Sequence, residues 1–144
     1  MTDNYRTTSV RGVIRNGDSI LVEWFAPKSI SFLPGGTVES GEDLESTIVR
    51  ELAEELQGLE FQVSHYLGKI GHFWKTSGGT DSCLNHFYEV DLLSDSGVSA
   101  REQGREIRWL SLKDPAADSL TPPSLRKLLS ERTRATWDLV DDER

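Results

Sequence analysis

The chain has 144 residues and a net charge of −8, a length that fits one domain over 1–144. A single cysteine, Cys83, excludes an internal disulfide, and no uncharged apolar run is long enough to span a membrane. The acidic balance disfavours binding to a nucleic-acid backbone; it serves solubility or marks acids gathered around divalent cations, which reverse the local field.

Residues 1–8 are polar and lack the apolar stretch of a signal peptide, so a cytoplasmic location is expected. Residues 7–14 are rich in β-branched side chains and read as a strand. Asn16-Gly17-Asp18 is a turn signal, and 19–25 reads as the second strand of a hairpin. The stretch 26–32 reads as irregular, and Leu33-Pro34-Gly35-Gly36 as a break in regular structure. Ser40-Gly41-Glu42-Asp43 places acids where a helix begins, and that helix is expected to run to about Gln57, with Gly58 as its stop. A long strand over 59–76 is expected to bend at Gly68 or Gly71. A turn over 77–80 and a returning strand over 82–92 follow. The polar stretch 94–103 reads as a loop and 106–112 as a strand. Pro122 and Pro123 open a last helix over 124–134, on a stripe of Leu125, Leu128 and Leu129. The charged tail 138–144 reads as frayed, with Trp137 as the last anchor. Strands, a helix, strands and a helix, in that order, point to an α+β chain with a mixed sheet between helices.

The segment 36–59 carries the chemistry. On a helical wheel Leu44, Ile48, Leu52 and Leu56 form a stripe, with Val49 beside it, that packs on the sheet. Glu51, Glu54 and Glu55 stand at i, i+3 and i+4 and cluster. Taking Glu51 as zero, Glu55 lies at about +40°, between Leu44 at about 20° and Ile48 at about 60°, so it points towards the protein body. Like charges at this spacing cost about 0.2–0.5 kcal/mol per pair, and a partly buried carboxylate costs more. A hard divalent cation would offset that; so would Arg50, paired with Glu54 or with Glu42. The plain alternative is a solvated acidic face with internal ion pairs. Gly35 and Gly36 allow close backbone approach and expose a carbonyl suited to a hard cation, or else simply make a turn.

Gly36, five residues, Glu42, seven residues and then Arg50-Glu51-Leu52-Ala53-Glu54-Glu55 resemble the Nudix box, over about one sixth of the chain. That pattern is Gly, five of any residue, Glu, seven of any, Arg-Glu, an aliphatic, any, Glu-Glu, any, Gly and an aliphatic. The chain departs from it once: Gln57 stands where the family has glycine, and Gly58 follows one position later. The helix is therefore expected to run one residue further, which leaves the register of the next strand open.

The resemblance, to the MutT-like Nudix hydrolases, implies an α+β fold, the α/β/α Nudix sandwich with a mixed central sheet. It implies a Mg²⁺-dependent hydrolase, with Mn²⁺ as an alternative, that cleaves a phosphoanhydride bond in a nucleoside diphosphate linked to another moiety. By the same resemblance Glu51, Glu54 and Glu55 are metal ligands, the Gly36 carbonyl joins them, and Glu42 and Arg50 hold the site together. The base varies in the family: Glu54 of the box is one candidate and a late-loop acid another, where Glu102 is preferred over Glu106.

Among the aromatic side chains that can stack on a base, Trp24, Phe32 and Trp74 are taken as substrate candidates, with His72 on the same strand face as Trp74. The window sixteen residues after the box holds Phe73, Trp74 and Lys75. It carries neither the proline that marks ADP-ribose subgroups nor the tyrosine that marks diadenosine polyphosphates. The expected substrate is therefore a nucleoside triphosphate or modified nucleotide, with ADP-ribose or a nucleotide sugar as the alternative. An inactive ligand sensor or interaction module is the reading from another class, and the complete set of box acids argues against it. The expected partner is a small nucleotide-like molecule, with no nucleic acid and no membrane. Dimers are common in the family, so a homodimer stays open.

Overall fold

The structure, a computed structural model, describes residues 4–57, 59–93, 105–132 and 134–144. The strands are β1 (Thr7–Val13), β2 (Arg15–Asn16), β3 (Ser19–Phe25), β4 (Ile30–Phe32), β5 (Gly35–Thr37), β6 (Phe61–Thr76), β7 (Gly79–Leu92), β8 (Arg105–Ser111) and β9 (Trp137–Glu143). The helices are α1 (Leu44–Glu55) and α2 (Leu125–Glu131). One mixed sheet runs β5-β1-β7-β6-β9, with β1 parallel to β7 and β9 parallel to β6. A second, antiparallel sheet is built on β3, which pairs with β2, β4 and β8.

The core lies in two layers, one on each side of the sheets. Val10, Ile14, Leu21, Val90 and Ile107 pack with Ile48, Leu52 and Leu56 at α1. Val13, Ile20, Val22, Phe87 and Leu110 pack with Leu125 and Leu129 of α2. Successive strand residues point to opposite faces, so Ile20, Leu21 and Val22 are all buried and β3 shows no polar alternation. This is the expected α/β/α sandwich. Each fully buried leucine or isoleucine contributes roughly 1.5–3 kcal/mol, which makes α1 a firm platform for the acids on it.

α1 begins at Asp43, whose carboxylate accepts the Ser46 N–H at 2.7 Å. It ends at Glu55, two residues before the expected Gln57; Leu56 and Gln57 form a turn closed by Leu59 N–H to the Leu56 carbonyl at 3.0 Å. Gly58 lies outside the described residues. α2 is likewise shorter than the 124–134 expected.

Four expectations are corrected. The early hairpin is confined to the short β2–β3 pair, because β1 leaves β3 and joins the other sheet, between β5 and β7. The stretch 26–32 is ordered as a 3₁₀ turn, Ala26–Lys28, and β4. Gly35 and Gly36 do not break regular structure: they pair with Arg11 and Val10 as an edge strand. The tail is not frayed, since β9 pairs with β6 from Gly68 opposite Trp137 to Trp74 opposite Glu143. The bend expected at Gly68 is present as a register shift in β6 with φ at +134°. A Cβ there would lie 2.3 Å from the Trp137 carbonyl oxygen, so only glycine lets β9 approach.

Candidate active site

Arg50 organises the start of the site. Its Nε and Nη2 donate to Glu42 Oε2 and Oε1 at 2.8 and 2.9 Å, a two-pronged pair. Nη1 donates to Glu51 Oε1 at 3.0 Å and lies 3.6 Å from Glu54 Oε1. Glu42 also accepts from the Glu39 N–H and the Thr47 hydroxyl. The Arg50 guanidinium, helped by the Glu39 N–H, holds the Glu42 carboxyl down at about 2. The sequence left Glu42 and Glu54 open as partners of Arg50. The structure gives Glu42 the two-pronged contact and Glu54 the longer one.

The three clustered acids have different surroundings. Glu54 faces outward, 62 % exposed. The Glu51 side chain is 16 % exposed, and burial raises its pKa against the pull of Arg50. Glu55 is 3 % exposed, which bears out its place within the apolar stripe. Both inner acids meet the glycine strand β5. Gly35 donates its N–H to Glu55 Oε2 at 3.2 Å. The space a Cβ would take at Gly36 is filled by Glu51, whose Cδ is 2.3 Å from that point. At Gly35, with φ at +149°, a Cβ would strike the Val10 carbonyl oxygen at 1.9 Å. The two glycines thus let backbone and carboxylates come together.

Two site residues were not singled out from the sequence. Glu23, on β3, is 2 % exposed and hydrogen-bonds Glu55. Burial first, and this second carboxyl next, push the Glu55 pKa up to about 10. A lone charge after the apolar run Ile20-Leu21-Val22 was the available signal. Arg11, on β1, donates to the Leu33 carbonyl at 3.0 Å, and its charge acts on both Glu51 and Glu55.

Arg11 also connects the acids to a cleft of about 220 Å³ walled by Phe32, His72, Trp74 and Asn85. An adjoining hollow of about 280 Å³ shares Phe32, His72 and Trp74. Phe32 lies under Arg11, at 5.6 Å to the ring centroid. The His72 and Trp74 rings are 4.7 Å apart, and Glu143 of β9 holds His72 Nε2 at 2.5 Å. Phe32, His72 and Trp74 are therefore brought together. Trp24 lines neither hollow: it sits on β3 beneath Arg108, whose Cζ is 4.5 Å from the ring centroid. A hollow of about 340 Å³ at the far end of β6, beside Arg15, Tyr66 and Arg132, lies away from the acids.

The NUDIX domain family model matches residues 5–131, most of the chain. The chain belongs to the Nudix family. A relative that carries the mutator-protein name MutT4, from Mycobacterium tuberculosis, is 30% identical over 82 residues. The match covers 57% of this chain and about a third, 33%, of that relative's length. Among solved structures, a MutT NUDIX hydrolase from Burkholderia pseudomallei is 26% identical with a TM-score of 0.67, covering 88% of this chain and 98% of that one. A NUDIX hydrolase from Nitrosomonas europaea is 14% identical with a TM-score of 0.72, covering 99% and 82%.

Nudix proteins take divalent metal ions, and the donors here suit one: carboxylates on one helix end and a glycine strand, all hard oxygen. A buried carboxyl set against a second one is also an arrangement that a cation relieves. Among the described residues no three His, Cys, Asp or Glu side chains converge closely enough to hold an ion, and Glu54 faces outward beside Arg50. Glu102 lies outside the described residues. Glu106, the other late-loop acid considered, is an exposed β8 residue opposite Trp24 and not a loop residue.

Proposed function

We propose that this Nudix chain hydrolyses a phosphoanhydride bond in a nucleoside triphosphate or modified nucleotide, with Mg²⁺ or Mn²⁺ held by Glu51, Glu54, Glu55 and the Gly36 carbonyl. The observation that carries the reading is the meeting of two box acids, Glu51 and Glu55, with Gly36 and Gly35, beside a cleft lined by Arg11 with aromatic walls. A bound divalent cation would neutralise the diphosphate and lower the pKa of a water.

The chain's own residues supply the rest. Arg11 lines the cleft with a guanidinium, suited to phosphate oxygens. Phe32 and Trp74 offer faces for a base, and the Glu143 hydrogen bond fixes His72 beside them. Glu42 and Arg50 tie β5 and its loop to α1. Glu54, exposed and outside the buried layer, is placed to orient a water or accept its proton; Glu102 is the alternative base.

The test is phosphate and pyrophosphate release over nucleoside triphosphates, oxidised nucleotides, dinucleoside polyphosphates and nucleotide sugars, with and without Mg²⁺. Turnover of one triphosphate class, lost on removal of metal, is the expected result. If no compound is turned over, the ligand-sensor reading takes its place. Gly36→Ala is a sharper probe of the geometry. Its methyl group displaces the flexible end of Glu51, not backbone. Turnover is expected to fall about tenfold or more, while the thermal midpoint stays near the wild-type value; an active Gly36→Ala protein would remove Glu51 from the site.

A further inference from the structure

Alternation along β3 sets the problem. Ile20 and Val22 face α2 and Leu21 faces α1, so Glu23 falls on the α1 side, 2 % exposed. An apolar residue there would continue the run and fill the layer; a carboxyl costs stability in such surroundings. Core packing gives no reason for it. Its contact does: Glu23 meets Glu55, on the helix face that also carries Ile48 and Leu52. The same Glu55 carboxyl accepts the Gly35 N–H through Oε2. It is gripped by β5 on one side and by β3 on another.

We propose that Glu23 is a positioning residue of the cation site, its carboxyl hydrogen-bonded to Glu55 so that Glu55 is held against the Gly35–Gly36 strand. The assignment rests on the cation-binding reading above. Glu23 lies outside the box, on a strand of the other sheet, and it couples the acids of α1 to β3. Groups that hold a metal-ligating side chain from behind set metal affinity, and losing one commonly costs 10–100-fold.

What matters in this role is reach and hydrogen bonding, not charge. The experiment is titration of the full chain with MnCl₂, followed by electron paramagnetic resonance of free Mn²⁺, on wild type, Glu23→Gln, Glu23→Asp and Glu55→Gln. Thermal melts without metal check that each is folded. Glu23→Gln keeps the length and a hydrogen-bonding end, and is expected to bind Mn²⁺ close to the wild-type affinity. Glu23→Asp keeps the charge but is one methylene short, and is expected to bind about tenfold more weakly. If Glu23→Gln binds as weakly as Glu23→Asp, or if Glu23→Asp binds like wild type, the assignment is overturned. Failure of the cation reading itself looks different: wild type takes up no Mn²⁺, or Glu55→Gln binds it as wild type does.

Discussion

Glu55→Gln lowers metal-dependent turnover about 10³-fold and leaves the metal-free protein folded. Glu55 is 3 % exposed and lies between Gly35 and Glu23. Glutamine has the same shape; its carbonyl oxygen can still accept the Gly35 N–H, and its amide can still donate to Glu23. The metal-free core therefore keeps its contacts and loses only a carboxyl that burial disfavours in the ionised form. What glutamine cannot supply is an anionic oxygen for a hard cation. A catalytic cation stabilises transition-state charge by several kcal/mol, and about 4 kcal/mol corresponds to 10³ in rate. Single-turnover kinetics at saturating Mg²⁺, with melts in EDTA, measure both halves. A variant that turns over like wild type removes Glu55 from the metal set. One that fails to fold shows that the carboxyl is structural.

The box was legible because its residue types and spacing are local. One helix turn brings Glu51, Glu54 and Glu55 together, and the wheel alone placed Glu55 towards the core. The Gly36–Glu51 contact follows from the same short segment, 15 residues of chain folded back on itself. Glu23 and Arg11 were not legible in that way, since their relation to α1 depends on which strands pair and which face each presents. The same cause explains the misread hairpin. Residues 7–14 and 19–25 are good strands, but nothing local says that β1 pairs with β7, more than seventy residues away in sequence. The tail was misread because Asp138, Asp141, Asp142 and Glu143 look like a solvated end. Pairing with β6 needs only backbone groups, an anchor at Trp137 and the space left by Gly68. Trp24 was a candidate on ring chemistry alone, which cannot tell a cleft wall from a strand face covered by Arg108.

In EDTA, the metal-free protein is expected to lose stability as pH rises from 7 to 9. Glu55 is raised from 4.5 to about 10 by burial and by Glu23. Between those values the folded protein keeps a proton that the unfolded chain has released. Stability then falls with pH, by up to about 1.4 kcal/mol per unit for one proton. For a chain of this size that is up to about 10 °C in thermal midpoint over the two units. The groups facing Glu55 are Glu23, Arg11 and the Gly35 N–H. Glu51 is also shifted upward, by burial against the pull of Arg50, so any stability it contributes is likewise lost as pH rises from its ordinary value. The opposing groups act elsewhere on the scale. His86 is lowered from 6.5 by burial, so its contribution is lost as pH falls below that value. Glu42 and Asp142, each lowered to about 2, lose theirs only in acid. Adding Mg²⁺ should flatten or reverse the slope between pH 7 and 9, because ligands must ionise to bind metal and proton release then favours the bound state. Glu55→Gln should show little slope with or without metal. Melts of the wild type in EDTA that do not move between pH 7 and 9 would mean that Glu55 is already ionised without a cation, and that burial in this layer is not what tunes it.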